Sequence, residues 1–263
     1  MKKEFNLSLS GGAALGYAHI GVLEYLYELN LSPKAIYGVS MGAIVGSVEA
    51  LDISNSEKLI IFNKAFNTLK WIKPSFNGSL ISTKKIEKML KDIFGNLKFS
   101  HLQKDLHIGA TNYHNGNLTI FNKKNDILIV DAILASMAVP AIFPPRYIQN
   151  IAYVDGYLSS NIIVNRDDKD IYNLVVNVTG KNSFKNLSTN EIKKLNILNH
   201  LERSIRELIY NQTKNTLKNV NNLILIEPDI SSYKTFSFNK YKEIKEIGKI
   251  AAKNCTQINK LLI

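Results

Sequence analysis

The sequence predicts an α/β fold, a three-layer sandwich with a mainly parallel central sheet. Three observations predict it: two strand-to-helix units open the chain, two nearly continuous apolar strand segments follow later, and helical segments separate them. Strands that read as continuous apolar runs are typical of parallel sheets buried on both faces. Because 263 residues suit one large domain, we expect a single domain over residues 1–263.

The first strand-to-helix unit contains a glycine turn. Phe5–Leu9 alternates apolar and polar residues like a strand, and apolar residues at helical spacing follow from Ala14 onward. The turn between them, Gly11-Gly12, is expected to direct backbone N–H groups at whatever lies above the sheet. No Lys-Ser or Lys-Thr follows the last glycine, and Ala13 interrupts a dinucleotide motif, so an acyl oxyanion is favoured over a nucleotide.

The second unit contains a serine in a Gly-x-Ser-x-Gly motif. A short apolar strand over Ala35–Val39 leads into Gly38-Val39-Ser40-Met41-Gly42, and a buried helix is predicted from there to Leu51. This is the nucleophile-elbow pattern, in which small neighbours allow a sharp strand-to-helix turn. Ser40 would then lie at a helix N-terminus, whose free N–H groups and positive partial charge favour an oxyanion.

The remaining elements are predicted from periodicity and turn residues. Asn115-Gly116 between two apolar runs indicates a β-hairpin. A stripe through Ile192, Leu195, Leu198, Leu201, Ile205, Leu208 and Ile209 indicates a long amphipathic helix. Helices are predicted over residues 56–71, 82–94 (capped by Ser82 and stopped by Gly95), 190–215 and 240–262, and strands over 106–111, 118–121, 172–178 and 223–226.

A carboxylate follows a short strand in Tyr153-Val154-Asp155-Gly156-Tyr157. A serine hydroxyl is a poor nucleophile until a base accepts its proton, and a carboxylate within hydrogen-bond reach can do so. Asp155 is therefore the candidate base. The apolar residues 137–145, interrupted by three prolines, are expected to contact acyl chains, and Asp131 before them is expected to be structural.

Three blocks in this order resemble the patatin-like phospholipase family over roughly residues 5–164: residues 11–23, residues 38–43, and residues 135–145 followed by Val154-Asp155-Gly156 and Asn161. The resemblance implies a patatin-like fold and a Ser/Asp dyad that cleaves fatty acyl esters of phospholipids or lysophospholipids through an acyl-enzyme. It implies Ser40 as nucleophile and Asp155 as base. The oxyanion hole is implied to consist of the backbone N–H groups of Gly11, Gly12 and Ala13.

Three residues depart from the family pattern. Leu15 stands where members commonly carry a basic residue, Ala13 replaces a clustered glycine, and Tyr157 takes a position usually held by glycine or alanine. Ala13 is harmless if its φ is negative and strained if its φ is positive. We expect these changes to affect the range of substrates more than the type of reaction.

Three alternatives stay open at this point. A conventional triad in the order Ser40, Asp155, His200 is formally possible, although a histidine in mid-helix is an unusual triad member. The same acyl-enzyme could pass its acyl group to an alcohol or a carrier, as an acyltransferase does. A catalytically weak lipid-surface binding protein would keep the elbow as scaffold only.

The composition indicates the class of partner. The formal net charge is +11, and the Lys residues are spread along the chain without a long basic run. We expect a phospholipid or membrane surface as the partner, and no nucleic acid, because no helix-turn-helix, zinc motif or aromatic platform is present. The five histidines lack zinc-ligand spacing, so neither a metal nor a cofactor is predicted. The oligomeric state does not follow from the sequence.

The expected location is cytoplasmic or peripheral to a membrane. Cys255 is the single cysteine, so an intramolecular disulfide cannot form. Lys2-Lys3 is followed by Glu4 and a short strand rather than an apolar signal segment. Export by a route without a cleaved signal stays open.

Overall fold

The computed structural model describes residues 2–69 and 84–262, and a central eight-stranded sheet organises them. Hydrogen-bonded neighbours follow the path β5-β6-β3-β2-β1-β7-β8, and β4 also pairs with β3, on the edge opposite to β2 and β6. The run from β3 through β2, β1 and β7 to β8 is parallel, whereas β4, β5 and β6 pair antiparallel. The strands are β1 (Phe5–Leu9), β2 (Ala35–Val39), β3 (Asp105–Asn112), β4 (Leu118–Phe121), β5 (Arg146–Ile148), β6 (Ile151–Asp155), β7 (Tyr172–Val176) and β8 (Leu223–Ile226).

Helices cover both faces of this sheet. Ile36, Leu174 and Ile224 point into the main core, to which helices α1, α2, α5 and α8 contribute buried side chains. Val175 points to the opposite face, where Leu217 of α7 packs against it. The predicted three-layer α/β sandwich is confirmed. The helices are α1 (Tyr17–Glu28), α2 (Met41–Glu49), α3 (Asn55–Leu69), α4 (Lys84–Phe94), α5 (Ile129–Ser136), α6 (Thr189–Lys193), α7 (Ile197–Leu217) and α8 (Tyr241–Asn254).

The helix predicted over residues 190–215 is two helices. α6 ends at Lys193 and α7 begins at Ile197, because Asn196 lies between them in extended backbone and its side chain accepts a 2.9 Å hydrogen bond from the Asn199 N–H. An Asn that caps a helix start satisfies one of the free N–H groups there, which favours a new N-terminus over continuation.

The final helix is also shorter than predicted. α8 ends at Asn254, and residues Thr256–Leu261 form a 3-10 helix after Cys255, whose backbone is not helical. The predicted helix end at Trp71 and the predicted cap Ser82 lie outside the described residues. In the described ranges, none of the helices combines the length and the apolar character needed to cross a bilayer.

Candidate active site

Ser40 occupies a strained elbow between β2 and α2. Its φ is 54° and its ψ is −119°, a conformation that a non-glycine residue adopts only when its surroundings enforce it. A Cβ atom on Gly42 would lie 2.2 Å from the carbonyl oxygen of Leu9, so only glycine permits this approach of α2 to β1. The predicted nucleophile-elbow geometry is present.

The pairing register of β3 brings Asp155 to the serine. Val39 of β2 pairs with Gly109, and Asp155 of β6 pairs with the next residue, Ala110. Because β4 occupies the other edge of β3 at these residues, β2 and β6 share one edge and meet there at their carboxyl ends. The Oγ of Ser40 donates a 2.7 Å hydrogen bond to Oδ2 of Asp155.

The Asp155 carboxyl lies in an unusual electrostatic environment. It is fully buried, and this burial raises its pKa to about 7, against the opposing effects of hydrogen bonds from the Ser40 hydroxyl and the Tyr157 N–H. The Tyr157 N–H donates to Oδ1 at 3.0 Å and orients the carboxyl. A base whose pKa lies near neutrality can accept a proton and release it again in the same reaction cycle.

Ser136 holds the elbow in place, a role that we did not predict from the sequence. Its Oγ accepts a 2.7 Å hydrogen bond from the Ser40 N–H and donates a 2.6 Å hydrogen bond to the Gly109 carbonyl. Ser136 is fully buried at the end of α5. The only signal for it was its position at the start of the third motif block.

The glycine loop approaches the serine, and its three expected oxyanion donors differ in whether they already have a hydrogen-bond partner. A Cβ atom on Gly11 would lie 3.3 Å from the Cβ of Ser40, so the loop borders this serine. The Gly11 N–H, however, donates to the Asn161 carbonyl at 3.2 Å and is already engaged. Within residues 2–69 and 84–262, the N–H groups of Gly12 and Ala13 donate no hydrogen bond, so both remain free to bind a ligand.

Two buried side chains lie against the start of this loop, Asn161 at the Gly11 carbonyl and His19 at the Ser10 carbonyl. The Asn161 side-chain amide donates to the Thr179 hydroxyl at 2.7 Å, while its Oδ1 has no partner in the described part of the chain. His19 lies 2.8 Å from the Ser10 carbonyl through Nε2, and burial lowers its pKa to about 4. A neutral imidazole facing a carbonyl must donate its N–H, so His19 supports the loop instead of moving protons.

The residues that depart from the family pattern have distinct surroundings. Leu15 is buried in the main core, so its position presents no charge to a substrate. Ala13 has a φ of 48° and therefore occupies the strained left-handed region. Tyr157 is half-buried two residues after Asp155, and burial raises its pKa to about 12.

The histidine of the alternative triad lies apart from the pair. His200 is an exposed residue on α7. In the described parts of the chain, the hydrogen-bond partners of the Ser40 and Asp155 side chains include no histidine.

Asp131, expected to be structural, forms an ion pair with Arg146 at 2.5 Å.

Known proteins are similar in sequence to this chain. The chain is 29% identical over 184 residues to an uncharacterized protein of Acanthamoeba polyphaga mimivirus, which covers 63% of this chain and 62% of that protein. It is 29% identical over 202 residues to triacylglycerol lipase 4 of Saccharomyces cerevisiae. This match covers 61% of this chain and 22% of the lipase. The chain thus spans less than two thirds of the length of these relatives.

A solved structure and a family model also match this chain. The crystal structure of VipD from Legionella pneumophila matches 97% of this chain and 66% of that chain with a TM-score of 0.50 and 16% sequence identity, a likeness of fold alone. The family model described as patatin-like phospholipase matches residues 7–167, more than half of the chain. With the elbow, the glycine loop and the aspartate motif in place, the chain belongs to the patatin-like phospholipase family.

Proposed function

We propose that the protein is a serine lipid acyl hydrolase in which Ser40 is the nucleophile and Asp155 is the base. The observation that carries the proposal is the 2.7 Å hydrogen bond from the Ser40 hydroxyl to a buried carboxyl whose pKa lies near neutrality. Family membership and the lipase name of a relative agree with it.

In the proposed reaction, Asp155 accepts the hydroxyl proton as the Ser40 oxygen attacks the ester carbonyl carbon. The tetrahedral oxyanion forms next to the free N–H groups of Gly12 and Ala13, at the N-terminal end of α2. Asp155 then gives the proton to the departing alcohol. Water attacks the acyl-enzyme, Asp155 accepts a proton from that water, and the proton returns to Ser40 as the fatty acid leaves.

The proposed substrates are fatty acyl esters of phospholipids or lysophospholipids. The segment over residues 137–145 has no regular strand or helix beyond Met137, and several of its apolar side chains remain half-exposed, as a surface that contacts acyl chains would require. Leu15 stands where family members commonly carry a basic residue. We therefore expect the rate of hydrolysis to depend less on a negative charge of the substrate close to the scissile ester.

The test is fatty-acid release from mixed phospholipid and lysophospholipid vesicles. Ser40→Ala and Asp155→Asn are each expected to lower the rate by about a thousandfold or more, because each removes a group that acts on the reacting atoms. His200→Ala is the matched control and is expected to stay within a few-fold of wild type. Loss of turnover in His200→Ala would instead establish the triad.

Two further measurements separate hydrolysis from the remaining alternatives. A fluorophosphonate probe is expected to label wild type at Ser40 and to leave Ser40→Ala unlabelled. Product analysis with an added alcohol is expected to yield free fatty acid as the main product. If the acyl ester of the added alcohol were the main product, the protein would be an acyltransferase. If the probe did not label wild type, the protein would be a binding protein without catalysis.

A further inference from the structure

Helix α7 presents its apolar side to solvent. Ile197, Leu201 and Leu208 are 85%, 57% and 70% exposed, and at about 100° per residue they lie within roughly 40° of one another around the helix. Leu198 flanks them and is also exposed. We call Ile197, Leu198, Leu201 and Leu208 the apolar stripe. Leu198, Leu201 and Leu208 belong to the apolar pattern that predicted an amphipathic helix, and these three side chains are exposed instead of facing the core.

The opposite side of α7 faces the protein body and carries polar groups. The side chain of Glu202 accepts a 2.9 Å hydrogen bond from the Thr235 N–H, and the guanidinium of Arg206 donates to the Tyr233 carbonyl at 3.2 Å. A surface helix ordinarily buries its apolar side. Because the first half of α7 contacts the protein body through Glu202 and Arg206, the exposed apolar stripe on its other side contributes little to folding and is free for an external partner.

The stripe lies at the edge of the sheet that carries the active site. A helix of 21 residues is about 30 Å long, whereas a five-residue strand spans about 17 Å. The C-terminal end of α7 is anchored by Leu217 against Val175, and the chain then enters the amino end of β8. The N-terminal half of α7, with the stripe, therefore extends past the carboxyl ends of the strands, where Ser40 lies.

Hydrogen bonds link α7 to both sides of the site. The Gln212 side chain donates to the Tyr157 carbonyl at 3.2 Å and accepts from the Asn161 N–H at 2.8 Å. The Thr235 N–H donates to the Glu202 side chain. The Thr235 carbonyl in turn accepts a 3.0 Å hydrogen bond from the Ala14 N–H, next to the glycine loop. The helix is thus positioned at the rim of the site.

The segment that contains the stripe carries a net positive charge. Residues 181–218 contain eight Lys and Arg residues and three Glu residues, in a chain whose formal net charge is +11. Lys193 and Lys194 are exposed immediately before the stripe begins. Exposed apolar side chains flanked by lysines are typical of helices that lie in the plane of an anionic lipid surface.

We propose that the apolar stripe of α7 docks the protein on an anionic phospholipid bilayer. α7 would lie at the interface with the stripe among the outer acyl chains and the lysines at the phosphates, so that the carboxyl edge of the sheet faces the lipid. The exposed Leu158, next to Tyr157, extends this surface toward the site. The inference rests on the proposed function for its substrate, whereas docking itself requires no turnover.

The experiment is vesicle co-sedimentation in a Ser40→Ala background, so that lipid is not consumed. Vesicles contain equal parts of phosphatidylglycerol and phosphatidylcholine. The double variant Leu201→Gln with Leu208→Gln is expected to bind at least about tenfold more weakly, because two leucines no longer enter the acyl region. The matched control, Ile60→Gln with Ile250→Gln, alters side chains that are 65% and 48% exposed on α3 and α8, and we expect it to bind as the parent does.

Further outcomes distinguish docking from catalysis. With Ser40 intact, the stripe variant is expected to hydrolyse a soluble short-chain ester at the wild-type rate and phospholipid vesicles at least about tenfold more slowly. Docking by Ser40→Ala without any hydrolysis by wild type would overturn the proposed function and leave the docking surface standing. Unchanged vesicle binding by the stripe variant would overturn docking. If the parent protein were a dimer and the stripe variant a monomer, the stripe would instead bind a second copy of this chain.

Discussion

At the scale of single residues, Asp155 combines full burial with a hydrogen bond from Ser40, the proposed nucleophile. Burial raises its pKa to about 7, so the carboxyl is largely protonated in mildly acidic solution and ionised in mildly alkaline solution. A protonated carboxyl cannot accept the Ser40 proton. This single group therefore controls the ionisation on which the proposed reaction depends.

The first prediction concerns the pH dependence of turnover. The value of kcat/KM for a soluble ester is expected to rise with pH and to reach half of its plateau near pH 7, the pKa of the Asp155 carboxyl. The measurement is a pH profile on the free enzyme, in buffers of matched ionic strength. A half-maximum near the ordinary aspartate value of 3.8 would contradict it.

The second prediction concerns stability. The folded-state pKa of Asp155 lies above its ordinary value, so between about 3.8 and 7 the unfolded chain releases a proton that the folded chain keeps, and stability falls as pH rises. Asp155→Asn removes the free-energy cost of ionising a buried carboxyl. It is expected to stabilise the protein by on the order of 2 kcal/mol at mildly alkaline pH while abolishing turnover. Urea unfolding measures it. Asp131→Asn, which loses an ion pair with Arg146, is the control and should not stabilise.

The third prediction concerns Ala13. Its φ of 48° places an alanine in the left-handed region, where glycine is not strained. Ala13→Gly is expected to raise the free energy of unfolding by about 1 kcal/mol and to retain activity, since the backbone N–H remains. Ala14→Gly is the matched control: Ala14 is buried and has no positive φ, so its replacement is expected to destabilise. Equal effects of the two changes would contradict the strain argument.

At the scale of elements, the site depends on two strands that meet end to end. β2 and β6 share one edge of β3, and their carboxyl ends present Ser40 and Asp155 at adjacent registers. A Cβ atom on Gly156 would lie 2.5 Å from the Gly109 carbonyl, so this junction permits only glycine there. The helix α5 adds Ser136, which connects the elbow to β3.

The fourth prediction tests that connection. Ser136→Ala leaves the buried Ser40 N–H and the Gly109 carbonyl without their partner, which costs about 1–3 kcal/mol for an unsatisfied group. We expect kcat to fall about tenfold or more with little change in KM, because the nucleophile loses its fixed orientation while the binding surface remains. Steady-state kinetics on a soluble ester provides the measurement.

The control for Ser136→Ala is Ser47→Ala on α2. Ser47 is equally buried, and its hydroxyl has no partner in the described part of the chain. Removing an unpartnered buried hydroxyl is expected to leave kcat unchanged and stability equal or slightly higher. A matching loss of kcat in both variants would show that Ser136 acts through general packing and not through the elbow.

At the scale of the whole molecule, one sheet connects the N-terminal strands of the site to the final parallel strands. β1 pairs with β7, and β7 pairs with β8, so the segment after the family match is hydrogen-bonded into the same sheet as the glycine loop. α8 also adds Ile244 to the core shared with α1. We propose that residues 1–263 form a single domain.

The fifth prediction follows from this shared sheet and core. Thermal unfolding is expected to show one cooperative transition, with coincident midpoints by far-UV circular dichroism and by tyrosine fluorescence. Substituting a buried residue of α8, such as Ile244→Ala, is expected to shift that whole transition to lower temperature, because the residue is fully buried in the common core. Two separate transitions would divide the chain into two domains.

The sequence by itself determined the local parts of the site. The elbow around Ser40 and the turn at Gly11-Gly12 are set by short-range steric rules that each motif carries within a few residues. Alternating strand and helix signals similarly determined the three-layer architecture. The predicted strand over residues 223–226 is observed as β8 with the same bounds, because continuous apolar runs leave few alternatives to a buried parallel strand.

Only the tertiary structure decided how these parts meet. The 2.7 Å contact between Ser40 and Asp155 joins residues 115 positions apart and depends on the register of β3, which no local pattern specifies. The engagement of the Gly11 N–H by Asn161 and the outward orientation of the apolar stripe are likewise set by contacts between distant segments. Periodicity determines that a helix has an apolar side, and only packing determines whether that side meets the core or the solvent.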